Sequence, residues 1–289
     1  MKFYHYILVV LLAVSGGWLG TKITPISQNS TPAQETAYER VMRTGTLRCG
    51  YSLWDGGINE DPNTKQLTGA AYDVANAIGA AANIKIEWAG RVPWGDVVEA
   101  LKSNKVDAIC AGMWTNALKA KQIAFTTPFA YQGVEAFGQV GTARFDNNLP
   151  NINATDVKVA TIDNDNSDYI AREVFPNAER VALSQLNSSD MDLMMYVGTR
   201  KADVTFTAVG LWHLFEKDQP SKVKRIAPGQ NLRTFGLSPV VVDNADPRLW
   251  LMLDAAAHEV MDSGIVDRIL DKYDTRYPDM FLRAAKNYK

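Results

Sequence analysis

An α/β fold in two similar lobes is the architecture this sequence predicts, each lobe a parallel-type sheet flanked by helices, the two joined by a two-strand hinge. Three observations carry that prediction. From residue 38 onward, short β-rich runs alternate with helical patterns. The β-α-β-α-β order occurs twice, at similar length. Two further β-rich stretches separate the repeats and lead back from the second. Alternation of this kind builds a parallel sheet with right-handed crossovers.

In the first repeat, TLRCGY (46–51) is a strand that ends at the turn-rich DGGINEDPNTK. Tyr72, Val74, Ala75, Ile78 and Ala81–Ala82 then form one helical face, within which Gly79 is tolerated at a cost. IKIEWAG (84–90) is the second strand, WGDVVEALKSN the second helix and VDAICAG (106–112) the third strand. The second repeat runs VKVATID (157–163), a helix from Ser167 to Phe175 closed by Pro176, ERVAL (179–183), the helix DMDLMMYVGTRK and ADVTFTA (202–208). GVEAFGQV (133–140) crosses out and LRTFGLSPVVV (232–242) returns, with Pro239 and nearby glycines suited to a hinge. Residues 247–289 are helical, Leu249, Leu253, Ala256 and Val260 forming one face. The predicted division is thus 38–132 for lobe 1, 133–238 for lobe 2 with its crossings, and 239–289 as the return to lobe 1.

The N-terminus differs from the rest. Residues 3–20 carry no Asp, Glu, Lys or Arg and follow Lys2, with an apolar centre at Tyr6–Val14 and small residues at Ser15–Gly17. That describes a secretory signal over 1–21, or an uncleaved anchor that tethers the protein to a membrane. Either reading exports the chain to a periplasmic or extracytoplasmic compartment. Residues 22–37, rich in Ser, Thr, Pro and Gln, read as a flexible linker. The remainder, within a chain of 289 residues that is 46% hydrophobic, 21% charged and of net charge −2, has globular composition, and no basic run interleaved with aromatics points to nucleic acid.

Ligands of open parallel α/β sheets sit beyond the carboxyl ends of the strands. That rule selects four loops: Tyr51–Asp55, Met113–Asn116, Asp163–Ser167 and Thr207–Gly210. Trp54 and Trp114 are candidates to stack on a ligand, with packing beneath loops as the plainer role. Lys119 is suited to a carboxylate, or else lies on a solvated helix face in ALKAKQ. Asn116 serves as a helix cap, compatible with ligand contact because helix N-termini attract anions. Asp163, Asp165 and Asp168 crowd another helix start, where capping is the default for Asp165 and Ser167 and a cationic ligand group the alternative. Thr207 ends the third strand of the second repeat. Trp94 and Trp212 are read as core or rim.

These residues carry a family resemblance, which runs from about Tyr38 to Tyr273. TGTLRCGY resembles the opening strand of type II periplasmic solute-binding proteins, extracellular family 3, whose members include the polar amino-acid receptors of ABC importers. LTGAAYDVANAI resembles the family's G-F-D-V-D-L-A helix and keeps Gly69 and Asp73. LKSNKVDAICAGM and FTTPF resemble L-x-x-G-k-x-D-x-x-x-x-g-M and F-S-x-P-Y. The departures fall at the ligand. The T-x-x-R segment that grips an α-carboxylate is here Asn116 to Lys119, and lysine cannot make arginine's bidentate grip. The Gly-Thr before the second-lobe helix is Asn164-Asp165, and the Asp that takes an α-amino group is Ala208.

The resemblance implies a monomeric, non-enzymatic receptor that captures a small polar or charged solute, amino-acid-like or a small organic anion, by hinge closure. It also implies a membrane permease of an ABC importer as partner. A membrane-tethered sensor or co-receptor is the alternative, and a cyclohexadienyl-dehydratase-like enzyme, with Asp163 or Asp165 as acid, a more distant one. No cofactor is expected. His5, His213 and His258 fit no metal-ligand spacing, and G-x-S-x-G, P-loop and G-x-G-x-x-G motifs are absent. Cys49 and Cys110 fall on strands expected to be neighbours, as a disulfide or as two packed thiols.

Overall fold

The computed structural model describes residues 35–185 and 188–283. The export segment at 3–20, most of the linker and the last residues of the predicted C-terminal helical region lie outside them. Among the described residues, no helix is long and apolar enough to cross a membrane.

The first sheet begins beside helix α1 (Ala37–Thr44). Thr36 and Glu39 close a reciprocal capping box at its start, and Gly45 ends it in the left-handed conformation at φ 65°. Strand β1 (Thr46–Tyr51) leads to a small hairpin, β2 (Asn59–Glu60) and β3 (Leu67–Thr68), then to helix α2 (Ala70–Ala81) and β4 (Lys85–Arg91). Helix α3 (Val97–Lys102) precedes β5 (Ala108–Ile109), which is shorter than the predicted strand. Both β4 and β5 pair with β1 in parallel. Strands β7 (Ile123–Phe125) and β14 (Val241–Asp243) complete this sheet, antiparallel to their neighbours, in the order β4-β1-β5-β14-β7.

The second sheet repeats the motif. Strand β9 (Lys158–Ile162), helix α4 (Asn166–Val174), β10 (Glu179–Leu183), helix α5 (Asp190–Gly198) and β11 (Val204–Ala208) follow in turn. Both β10 and β11 pair with β9 in parallel. In each sheet the first strand of the repeat lies between the second and third, as two copies of one βαβαβ plan require. The crossing strands β8 (Ala130–Gln139) and β13 (Arg233–Ser238) pair antiparallel and extend the second sheet, together with β12 (Val223–Arg225).

One strand departs from the predicted assignment. Strand β6 (Met113–Trp114) follows β5 of the first sheet in sequence but pairs with β13, Trp114 opposite Leu237, and so belongs to the second. The chain changes sheets at Gly112, whose φ of 68° suits a residue without a Cβ. Helix α6 (Val209–Asp218) starts directly after β11, where a loop was expected. Helices α7 (Pro247–Asp262) and α8 (Ile265–Asp274) return to the first core: Leu249, Leu253, Val266 and Leu270 are buried with Val74 and Ile78 of α2.

Cys49 and Cys110 form a disulfide, with Cα atoms 5.5 Å apart. Of the two alternatives open in the sequence, the bridge is the one present, fastening β1 to the end of β5.

Candidate functional site

A cavity of about 410 Å³ is lined by the strand-end loops of both sheets. Trp54, Trp114, Asn116, Lys119 and Asp165 of the expected residues all line it.

Trp54 is fixed by an antiparallel bridge to Ile58 and by its indole N–H, which donates to the Ala111 carbonyl at 2.6 Å. Its ring lies so close over Gly57 that a Cβ there would fall inside the indole. Trp114 donates its indole N–H to Gln132 Oε1 and stacks on Phe235, centroids 4.9 Å apart and planes at 12°. Asn116 Oδ1 accepts from the backbone N–H of Leu118 at 2.9 Å and of Lys119 at 3.1 Å. These bonds close the turn ahead of a single 3-10 turn, Lys119–Lys121, whose N-cap position is Leu118 rather than Asn116 as expected.

Lys119 is half-buried. Burial pushes its pKa down, opposed by the charge of Asp165. Each of the two groups thus feels the other's charge, though no ion pair joins them among the described residues. Asp165 occupies the N-cap position of α4 but makes no side-chain cap bond, contrary to its expected capping role. Burial raises its pKa, while the Asn166 N–H and Lys119 lower it.

Asp163 is exposed and outside the cavity lining. Ser167 is buried, its Oγ accepting from Ile162 N–H at 3.0 Å, and it too stands off the cavity. Thr207 is fully buried and reaches the site only through Asp190, to which its hydroxyl donates at 2.5 Å.

Asp190, the first residue of α5, is the principal site residue that the sequence reading passed over. It lies beyond β10, the one strand end of the second repeat whose loop received no attention, so applying the strand-end rule there would have found it. Burial, reinforced by the charge of Asp165, pushes its carboxyl up to about 6, against the Thr207 hydrogen bond. Trp94, read as core or rim, lines the cavity, as does Asp55. Trp212 is indeed packed, stacked on Phe137 with its N–H donated to the Val223 carbonyl at 3.1 Å.

The raised carboxyl has a stability consequence. Its ordinary value is 3.8, so between about 4 and 6 the folded protein holds a proton that the unfolded chain has lost. The cost to the fold is absent below that window and complete above it. Asp190→Asn is therefore expected to stabilise the unliganded protein by on the order of 1–3 kcal/mol at pH 7.5 and by less at pH 4.5. Thermal unfolding at both pH values checks this; an equal gain at both would remove the titration as its cause.

The described residues contain no cluster of His, Cys, Asp and Glu that could hold a metal ion.

Comparison with solved structures places the fold. The ancestral amino acid-binding protein AncCDT-1, described as a precursor of cyclohexadienyl dehydratase, superposes with a TM-score of 0.68 at 22% identity, over 82% of this chain and 99% of its own. A mutant of ArgBP from T. maritima gives 0.67 at 17% identity, over 83% and 100%. The substrate binding protein of an amino acid ABC transporter gives 0.64 at 18%, over 80% and 99%. At such identities the likeness is one of fold: the two-lobed type II periplasmic binding architecture. A search of curated protein sequences returns no match. The family model for bacterial extracellular solute-binding proteins, family 3, matches residues 58–276, most of the chain, and the protein belongs to that family.

Proposed function

We propose that the protein is exported, captures a small polar or charged solute between its lobes by hinge closure and hands it to the permease of an ABC importer. The observation that carries this reading is the lining of the cavity. Aromatic and charged groups come to it from both sheets, Trp54 and Lys119 from the first, Asp165 and Asp190 from the second. A solute in contact with both sets favours the closed form by its differential affinity for it. Closure then excludes water and strengthens each polar contact. Binding is the proposed activity. Consumption of prephenate or arogenate by the purified protein would overturn that part.

The first test is a thermal-shift screen of the mature domain against amino acids, amines, small carboxylates and sugars. A ligand at a hundredfold its Kd adds about 2.7 kcal/mol of stability. Silence from a folded protein across the whole library would overturn the reading. For a ligand so found, Trp114→Ala is expected to weaken binding by about 1–3 kcal/mol, the worth of a lost aromatic face and the Gln132 acceptor left without its donor. Unchanged affinity in titration calorimetry would show that the ring only packs on Phe235.

A further inference from the structure

We infer that the solute is an organic cation without a carboxylate, an amine or quaternary ammonium with an apolar body, rather than an amino acid or an anion. This rests on the solute-binding reading above and deepens it. Among the described residues, the cavity is lined by three carboxylates, Asp55, Asp165 and Asp190, against one ammonium, Lys119. Asp55 is exposed, whereas Asp165 and Asp190 are desolvated, and a lining of that charge balance attracts a cation and repels an anion.

The helix ends where a carboxylate would dock already hold carboxylates of the chain. Lys119 and Asp165 both line the cavity, and each bears on the other's charge. The N-terminus of α4, which would otherwise draw an anion, carries Asp165 at its cap and the buried Asp168 in its first turn. Asp168 Oδ2 accepts from Asn164 N–H at 3.2 Å, and the carboxylate is also paired with Arg172 and Arg180. The N-terminus of α5 carries Asp190 and Asp192, and Ser189 N–H donates to Asp192 Oδ2 at 2.8 Å. Both positive helix ends are thus matched by the protein's own carboxylates.

The walls favour a cation as well. Trp54, Trp94 and Trp114 line the cavity, and two of their indole N–H groups are spent on Ala111 and Gln132. What those two rings offer a ligand is carbon and π-density, which an ammonium group finds attractive. Asp190 accepts from the Thr207 hydroxyl through Oδ1 and supplies the counter-charge.

Titration calorimetry with pairs that differ by one carboxylate tests the inference: agmatine against arginine, phenethylamine against phenylalanine, choline against glycine betaine. In at least one pair the cation is expected to bind tenfold or more tightly than its carboxylated partner. For that cation, Asp190→Asn should weaken binding at least tenfold, and Lys119→Gln, which removes a like charge from the lining, should tighten it. A lysine that grips a ligand carboxylate predicts the opposite sign. Circular dichroism confirms that both variants are folded. Tighter binding of the carboxylated member in every pair that binds, or no gain of affinity in Lys119→Gln, overturns the cation and leaves the solute-binding reading standing. No binding by any of the six also overturns the cation, while the wider screen decides the broader reading.

Discussion

Asp107→Asn is expected to destabilise the protein by about 3–5 kcal/mol, the cost of breaking a buried ion cluster from one side. Asp107 is 2% exposed and serves two guanidinium groups at once. Arg40 binds both carboxylate oxygens, its Nε at 2.9 Å from Oδ1. Arg48 reaches Oδ1 at 2.8 Å through a terminal nitrogen, and its backbone N–H donates to Oδ2 at 2.7 Å. An amide keeps the shape but cannot accept from so many donors, and it removes the negative charge that both guanidinium groups face. Helix α1, β1 and the approach to β5 meet there, so the loops that carry Trp54 and Trp114 lose a common support. Urea unfolding should show the midpoint fall at unchanged slope. Asp156→Asn, at the exposed Arg144–Asp156 pair, is the control and should show no measurable change. Equal effects from the two substitutions would refute the argument from burial.

Loss of the Cys49–Cys110 disulfide is the second large effect. The bridge spans 61 residues, and closing a loop of that length restricts the unfolded chain by about 4 kcal/mol in the chain-entropy model. The double variant Cys49→Ser/Cys110→Ser should therefore unfold at markedly lower denaturant, and reduction of the wild-type protein should act in the same direction. Both cysteines are fully buried, so the hydroxyls of the variant add a desolvation cost. Cys49→Ala/Cys110→Ala separates that cost from the loss of the bridge. The bridge also ties β1, which leads into Trp54, to the strand that leads into Trp114. Weaker ligand binding is expected alongside lower stability. Intact stability after reduction, with two thiols found by titration, would sink the prediction.

The two effects differ in how they relate to the sequence. A cysteine pair on strands expected to be neighbours was visible as a possibility, and only the geometry chose the bridge. The role of Asp107 could not be read at all. Its arginines lie 59 and 67 positions away, and nothing in local periodicity brings them together.

What the sequence by itself determined was the architecture and part of the cavity. Strand and helix periods are local, set by which side chains face a core a few residues apart, so the two βαβαβ repeats were legible. The rule that ligands sit at strand ends then named Trp54, Trp114, Asn116, Lys119 and Asp165, all of which line the cavity. Tertiary structure alone decided which of the crowded acids face inward. Asp163 turns outward, Ser167 is spent on Ile162 and Asp190 comes in from a neighbouring helix. It also moved Trp114 onto the second sheet through β13 and brought Lys119 and Asp165 to one cavity. The physical reason is range. Periodicity reports on neighbours in the chain, whereas charge balance in a cleft depends on groups from separate elements whose burial and mutual fields exist only once the lobes are assembled.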